Sequence, residues 1–284
     1  MFGVRLARSL EIVMASAAIL REEKKFLLFP LFSGLAVLLV GGFFVWDAFA
    51  AGFFEKLKSG APDLATDVNV YVWMFIVYVA LYFIVIFFNT ALAGAAIAKL
   101  NGGDPTIVDA FRLAFSRIGS IFGYAIIAGT VGLLLRLLAN RGIIGRIIGG
   151  TLDLAWTVVT FLVVPVLAAE GVGPVEAVKK SARLLRDTWG ENLVGNGGIS
   201  LVVSGIIGVV AVLAHGGALL LGGAGHRDLA IVVYLLAAAI IIPVATIGAA
   251  LTGIYSAALY TYAAAGEPPE GFGSLIRTAF RPKA

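Results

Sequence analysis

Six long stretches of this chain carry one charge or none, and short charged segments separate them. Phe26 to Trp46 is 21 residues without a charge, Val68 to Ala98 is 31 and Ile118 to Leu135 is 18. Ile147 to Ala169 is 23 with Asp153 interrupting, Asn192 to Gly225 is 34 and Leu229 to Gly266 is 38. At about 1.5 Å rise per residue, roughly 20 apolar residues cover the hydrocarbon core of a bilayer, so each stretch predicts a spanning helix. The longest stretches are too short for two spans and a turn. Each of them predicts one long or tilted helix with irregular ends, and Pro243, Gly248 and Gly253 leave a kinked or re-entrant last helix open. A spanning β-barrel needs alternating segments of about ten residues, which this chain lacks. The expected fold is an all-α integral membrane protein with six transmembrane helices.

The segments between spans carry a second pattern. "EIVMASAAILR", Glu11 to Arg21, and "EAVKKSARLLR", Glu176 to Arg186, agree at six positions, and each precedes a pair of spans. A third pair follows "DPTIVDAFRLAFSRIG", Asp104 to Gly119. Each pair also ends alike, in Gly-x-x-Pro at Gly102–Pro105, Gly171–Pro174 and Gly266–Pro269, with Asp109, Glu176 or Glu270 soon after. Gly accepts the left-handed helix cap, Pro begins the next helix at its first turn, and an acid near that start complements the helix dipole. The pattern predicts three parallel repeats, each an amphipathic interfacial helix followed by a helical hairpin. Their bounds are 1–103, 104–171 and 172–266 within a single membrane domain of residues 1–284, with a tail at 267–284.

The linker helices are amphipathic at helical spacing. In the third, Val178, Leu185 and Trp189 share a face with Ala182, and Lys179, Arg183 and Arg186 line another, with Lys180 beside them. In the second, Val108, Phe111, Phe115 and Ile118 oppose Asp109, Arg112 and Ser116. Such segments lie in the headgroup plane with their bases toward anionic lipid, or pack their apolar faces beneath the hairpins. The bases expected at that interface are Arg5, Arg8, Arg112, Lys179, Lys180, Arg183 and Arg186.

Composition agrees with the spans. Hydrophobic residues make up 60% of the chain and charged residues 13%, both far from the values of a water-soluble domain. The basic residues set an orientation. Fifteen Lys and Arg fall on the side of the termini and linkers, against six on the other side. The positive-inside bias then puts both termini in the cytoplasm of a prokaryotic inner membrane, with Trp46 and Trp73 at the outer interface. The run before Ala48-Phe49-Ala50 is too long for a signal peptide, so the first span is expected to remain uncleaved. No basic surface interleaved with aromatics suggests nucleic acid.

"FFNTALAGAA" (Phe87 to Ala96), "GGDPT" (Gly102 to Thr106) and "VVPVLAAEGVGPVEAVKKSARLLRDTWGENLVGN" (Val163 to Asn196) resemble a family of polytopic bacterial and archaeal membrane proteins of uncharacterised function. The Pro-Val-Glu-Ala linker followed by Thr-Trp-Gly-Glu is the most specific part. A weaker similarity is to the membrane domain fused to some glycerophosphodiester phosphodiesterases, whose catalytic domain has no counterpart here. Mitochondrial carriers also hold three two-span units, but their motif recurs three times inside the membrane. Here it fits once, at Pro174 to Lys179 in a linker.

Polar groups within spans are the default functional candidates, because a central charge costs roughly 2.5–3.5 kcal/mol there. Asp153 is the acid inside a span, with Trp156, Thr157 and Thr160 following it on one face and Arg136 and Arg146 able to reach its level. The group forms either a polar outer vestibule or an ion pair fixing two helix ends. Asn89 and Thr90 lie deeper and are expected to bond across helices, toward the carbonyl freed by Pro165. His215, beside two glycines, is expected to be a satisfied packing residue. With no cysteine, no paired intramembrane carboxylates, no H-E-x-x-H and no phosphate loop, the sequence predicts no catalytic residues, metal or cofactor. The expectation is a non-catalytic membrane protein that engages anionic inner-leaflet lipids and a homo-oligomeric or membrane-protein partner. The alternative is a transporter or channel with its path along the pseudo-threefold axis or at an oligomer's centre.

Overall fold

A computed structural model describes residues 16–59, 67–139, 142–189, 197–223 and 225–265. Arg5 and Arg8, the third Gly-x-x-Pro and the tail 267–284 lie outside the described residues. Every regular element among the described residues is helical. Residues 16–22 are helical, and a short 3-10 turn at Lys24–Leu27 leads into α1 (Leu28–Ala50) and the six-residue α2 (Phe53–Lys58). Then come α3 (Val68–Leu100), α4 (Ile107–Ser116), α5 (Ile118–Ala139), α6 (Gly142–Thr160), α7 (Val163–Glu170), α8 (Pro174–Trp189), α9 (Gly197–Gly223) and α10 (Arg227–Ala265).

Six helical stretches are long and apolar enough to cross a membrane: Lys24–Ala50, Val68–Leu100, Ile118–Leu135, Gly145–Glu170, Ile199–Gly223 and Arg227–Ala264. They coincide with the six charge-poor stretches of the sequence. The two longest are single helices, and Pro243 sits inside α10 without ending it. The fourth span, by contrast, is broken at Phe161–Leu162, between α6 and α7. A proline at position 165 removes a backbone donor and crowds the carbonyl one turn earlier, which is where the break falls.

The chain contacts divide into two compact units, residues 1–30 with 187–284 and residues 31–186. In the second unit α3 is the central element, packed against α4, α5 and α7, while α5 packs along α6. Its core gathers at the linker end of α3, where Ala91, Leu92, Ala93 and Ala96 are fully buried. Leu113 of α4 lies so close to Gly94 that an added Cβ there would sit 2.1 Å from its Cδ2. Small residues permit this approach, which matters in a membrane because lipid supplies no hydrophobic drive between helices. In the first unit α9 and α10 form a hairpin, and the 3-10 turn packs against α10. Phe26, Phe29, Ile254, Tyr255 and Leu259 are among its buried side chains. Elsewhere the spans expose large apolar side chains such as Leu38, Phe49, Leu201, Leu220 and Leu235, the surface a hydrocarbon solvent accepts.

Candidate functional site

The third linker helix is built as its sequence predicts. Gly171 takes the left-handed cap at φ +62°, and Pro174 opens α8 at its first position. Arg117 lies across that cap: a Cβ on Gly171 would meet its Nη1 at 1.9 Å. The second linker differs in one detail. Gly102 is left-handed, but Pro105 precedes the helix, and Thr106 is its N-cap. Thr106 and Asp109 form a reciprocal capping box: the Asp109 N–H donates to Thr106 Oγ1 at 3.1 Å, and the Thr106 N–H donates to Asp109 Oδ2 at 3.2 Å. The Thr106 hydroxyl also donates to that carboxylate at 2.6 Å. The hydroxyl bond first, then the backbone bond, hold the Asp109 carboxyl below its ordinary pKa, with Arg112 adding a smaller electrostatic effect.

The buried face of α8 runs through Ala177, Ser181 and Leu185. Leu185 was expected there, whereas Val178 and Ala182 are only half-buried at its edge. Ser181 is the residue sequence reasoning missed. Fully buried, its Oγ donates to the Val159 carbonyl at 2.6 Å and accepts from the Leu162 N–H at 3.1 Å. One hydroxyl therefore satisfies a carbonyl and an amide on the two sides of the break in the fourth span. The signal was present in the sequence as the Ser shared by the two eleven-residue copies, at positions 16 and 181.

On the opposite side of α8, Lys179, Arg183 and Arg186 are exposed together, as their spacing predicts. Their charges are not all available. Arg183 Nη2 bonds Glu176 Oε1 at 2.6 Å, and Lys180 bonds Glu170 Oε2 across the interhelical turn. Lys180 thereby acts as a tie between α7 and α8. In α4, Arg112 pairs with Asp109 at 3.5 Å in the open. On the face of α4 toward α3, Ala110 and Ala114 are buried, and Phe111 and Phe115 set their rings 6.3 and 4.9 Å from that of Phe87. Val108, Phe115 and Ile118 are 63%, 60% and 44% exposed, so the apolar edge touches α3 through Phe115 and leaves much of its surface open.

At the other end of the same unit, α3, α5 and α6 line an open-mouthed cavity of about 600 Å³. Arg146 and Asp153 both line it, facing Tyr71, Phe75 and Tyr78. Gly132 makes room for Tyr78, whose hydroxyl would lie 2.8 Å from a Cβ at that position. Among the described residues neither Arg146 nor Asp153 makes an ion pair or a side-chain hydrogen bond, so an Arg146–Asp153 pair as the fixing contact is not what the structure shows. The side chain of Arg136 lies outside the described set. Thr157, one turn beyond Asp153, is exposed and does not line the cavity.

Thr90 is fully buried, but it donates to Ile86 O of its own helix at 2.8 Å, which corrects the expected bond across helices. Asn89 beside it is half-buried. The side chain that bonds the backbone near Pro165 is Ser181, at Val159 and Leu162. His215 finds Tyr234, with Nδ1 to hydroxyl at 2.9 Å. A smaller pocket of about 230 Å³ surrounds Trp73, whose indole N–H donates to Asp47 at 2.9 Å. Trp73 is thus pinned by an acid at the end of the first span, while Trp46 is exposed.

Six apolar spans joined by short amphipathic helices define a multi-pass α-helical membrane protein. Residues 68–271, more than half of the chain, match the model of a Family of unknown function (DUF6159). The chain belongs to that family. No curated protein matches it.

Proposed function

We propose that this is a non-catalytic protein of the prokaryotic cytoplasmic membrane whose linker helices engage anionic headgroups of the inner leaflet, with both termini cytoplasmic. The observation that carries the reading is α8. Its Ala177–Ser181–Leu185 face is buried, with Ser181 bonded to the fourth span, so Lys179, Arg183 and Arg186 are held outward on the opposite face. Glu176 pairs with Arg183 and offsets part of that charge. A basic residue near an anionic leaflet contributes about 1 kcal/mol, so a rigid row of them concentrates acidic lipid. A homo-oligomer or a membrane-protein partner completes the reading.

The threefold repeat belongs to the same proposal, and burial supports it. Aligning the linkers on Glu11, Asp109 and Glu176 brings Ser16, Ala114 and Ser181 to one position, and all three are 0% exposed. Two of the linkers also pack on the span preceding them, α4 on α3 and α8 on the fourth span, and the turn that follows the first linker packs on the last span, α10. The similarity to the membrane domain of glycerophosphodiester phosphodiesterases contributes no functional residue. The alternative of a transporter or channel has the cavity beside Arg146 and Asp153 in its favour.

Two results are expected. Reporters fused at residue 1, within 105–115, within 175–187 and after Ala284 all read cytoplasmic, and one within 55–65 reads the outer side. An outer reading from any of the first four sites overturns the orientation. Replacing Lys179, Arg183 and Arg186 with Gln, while Lys180 stays to hold Glu170, preserves the fold and lowers co-purified anionic lipid severalfold by native mass spectrometry. Unchanged lipid identity and occupancy in that variant would leave the linkers with a structural role alone.

A further inference from the structure

The cavity between α3, α5 and α6 combines features that packing does not explain. It holds about 600 Å³, in the range of small-molecule sites, and it is not filled by the side chains around it. Arg146 and Asp153 line it with no ion-pair or hydrogen-bond partner among the described residues. Their spacing of seven residues on one helix puts them on the same face, about 10 Å apart along the axis. Between and opposite them stand Tyr71, Phe75 and Tyr78, with Leu133 completing an apolar wall.

We propose that this cavity binds a small zwitterion with separated charges and an apolar body, of the dimensions of a dipeptide or tripeptide. Both side chains are exposed, with Arg146 at the start of the span and Asp153 within it, where an uncompensated charge is costly, so a ligand that presents an anion to Arg146 and an ammonium to Asp153 meets both. The site carries one charge of each sign, which favours a net-neutral molecule over a simple anion or cation. The charge separation sets the size: an extended chain advances about 3.3–3.6 Å per residue, so three residues cover about 10 Å. The aromatic wall accepts an apolar or aromatic side chain, and Tyr faces add attraction for the ammonium end. Asp153 is the deeper group, some eight residues inside the start of the span at Gly145. A phospholipid headgroup, with its ammonium outward and its phosphate toward the chains, meets these two charges in the wrong order. The proposal does not rest on the linker helices and stands or falls separately from them.

The test uses the full chain in nanodiscs and the tripeptide alanyl-phenylalanyl-alanine, with its N-acetylated and C-amidated derivatives, read by calorimetry. The free peptide is expected to bind saturably, and each blocked form about tenfold more weakly, the worth of one charge-assisted hydrogen bond. D153N is expected to weaken the free peptide about tenfold while leaving the N-acetylated peptide unaffected. R146Q is expected to do the same for the free and amidated peptides. Thermal midpoints of both variants serve as the fold control, and the two peptide derivatives carry the test in wild-type protein if one variant fails to fold. Absence of binding by the free peptide, equal binding of all three peptides, or displacement only by phosphatidylethanolamine overturns the proposal.

Discussion

Ser181→Ala lowers the thermal midpoint of the protein in detergent by about 5 °C, the shift expected from about 2 kcal/mol in a unit of this size. The substitution removes one oxygen and strands two backbone groups. The Leu162 N–H and the Val159 carbonyl both lose their bond, at a break where the helix itself provides no replacement. Within a membrane neither group finds water, so the desolvation cost is felt in full. Thr151→Ala is the control. Its hydroxyl is exposed and bonds a carbonyl four residues back in its own helix, at Ile147, so its loss moves the midpoint little. Amide exchange distinguishes this mechanism from general loosening: the Leu162 amide exchanges faster in Ser181→Ala, and the amides of α9 and α10 do not. A Ser181→Ala protein with wild-type stability and an unchanged Leu162 amide would falsify the account of how the fourth span is held.

Gly248→Ala is expected to destabilise the α9–α10 hairpin by a comparable amount, about 1–3 kcal/mol of overpacking. A Cβ at position 248 would meet Val203 Cγ2 at 2.7 Å, Cγ1 at 2.8 Å and Cβ at 3.3 Å. Rotating the valine turns its hydrogen inward in place of one methyl, but the other methyl site stays filled and the Val203 Cβ itself remains at 3.3 Å, so neighbouring atoms must shift. Val203→Ala in the same chain removes both methyls and is expected to restore most of the lost midpoint, a coupling that a double-mutant cycle reads directly. Gly205→Ala provides the contrast. Nothing lies within 4 Å of its added Cβ, and alanine is the better helix former, so that variant is neutral or slightly more stable. Additive effects of Gly248→Ala and Val203→Ala would show that the two positions do not constrain each other.

These two positions show how differently legible the structure was. Gly248 stood out in the sequence as one of three residues able to break the last span, and α10 instead runs through it unbroken. The glycine serves contact with α9, which no reading of one helix in isolation can reveal. Ser181 was visible as a letter common to two copies of a repeat, without any sign of its partners. The acid at 109 was expected to favour a helix start on charge alone, and Thr106 turned out to engage it in a reciprocal cap. At the candidate sites, the exposed row of Lys179, Arg183 and Arg186 followed directly from helical spacing. The assignments of Lys180 and Arg183 to lipid did not foresee that Glu170 and Glu176 already hold them. Arg146 and Asp153 were placed at one level by counting turns, while the cavity they share needed α3 and α5 to exist.

By itself the sequence determined that the chain holds six helices long and apolar enough to cross a membrane, and roughly where each lies. In hydrocarbon every backbone polar group must be satisfied within its own helix, so a local run of apolar residues decides the matter without help from the rest of the chain. It also determined that short amphipathic helices separate the spans, because Gly caps, Pro and the 3.6-residue period are local properties. Only the tertiary structure decided which side of a linker is buried. Apolar character is an incomplete guide where lipid is as apolar as leucine: Ala110 and Ala114 are buried, while Phe115 touches Phe87 of α3 and still keeps most of its surface exposed. The break after Thr160, the hydroxyl that bridges it and the charged cavity were decided there too, because each depends on groups from different helices meeting within a few ångströms.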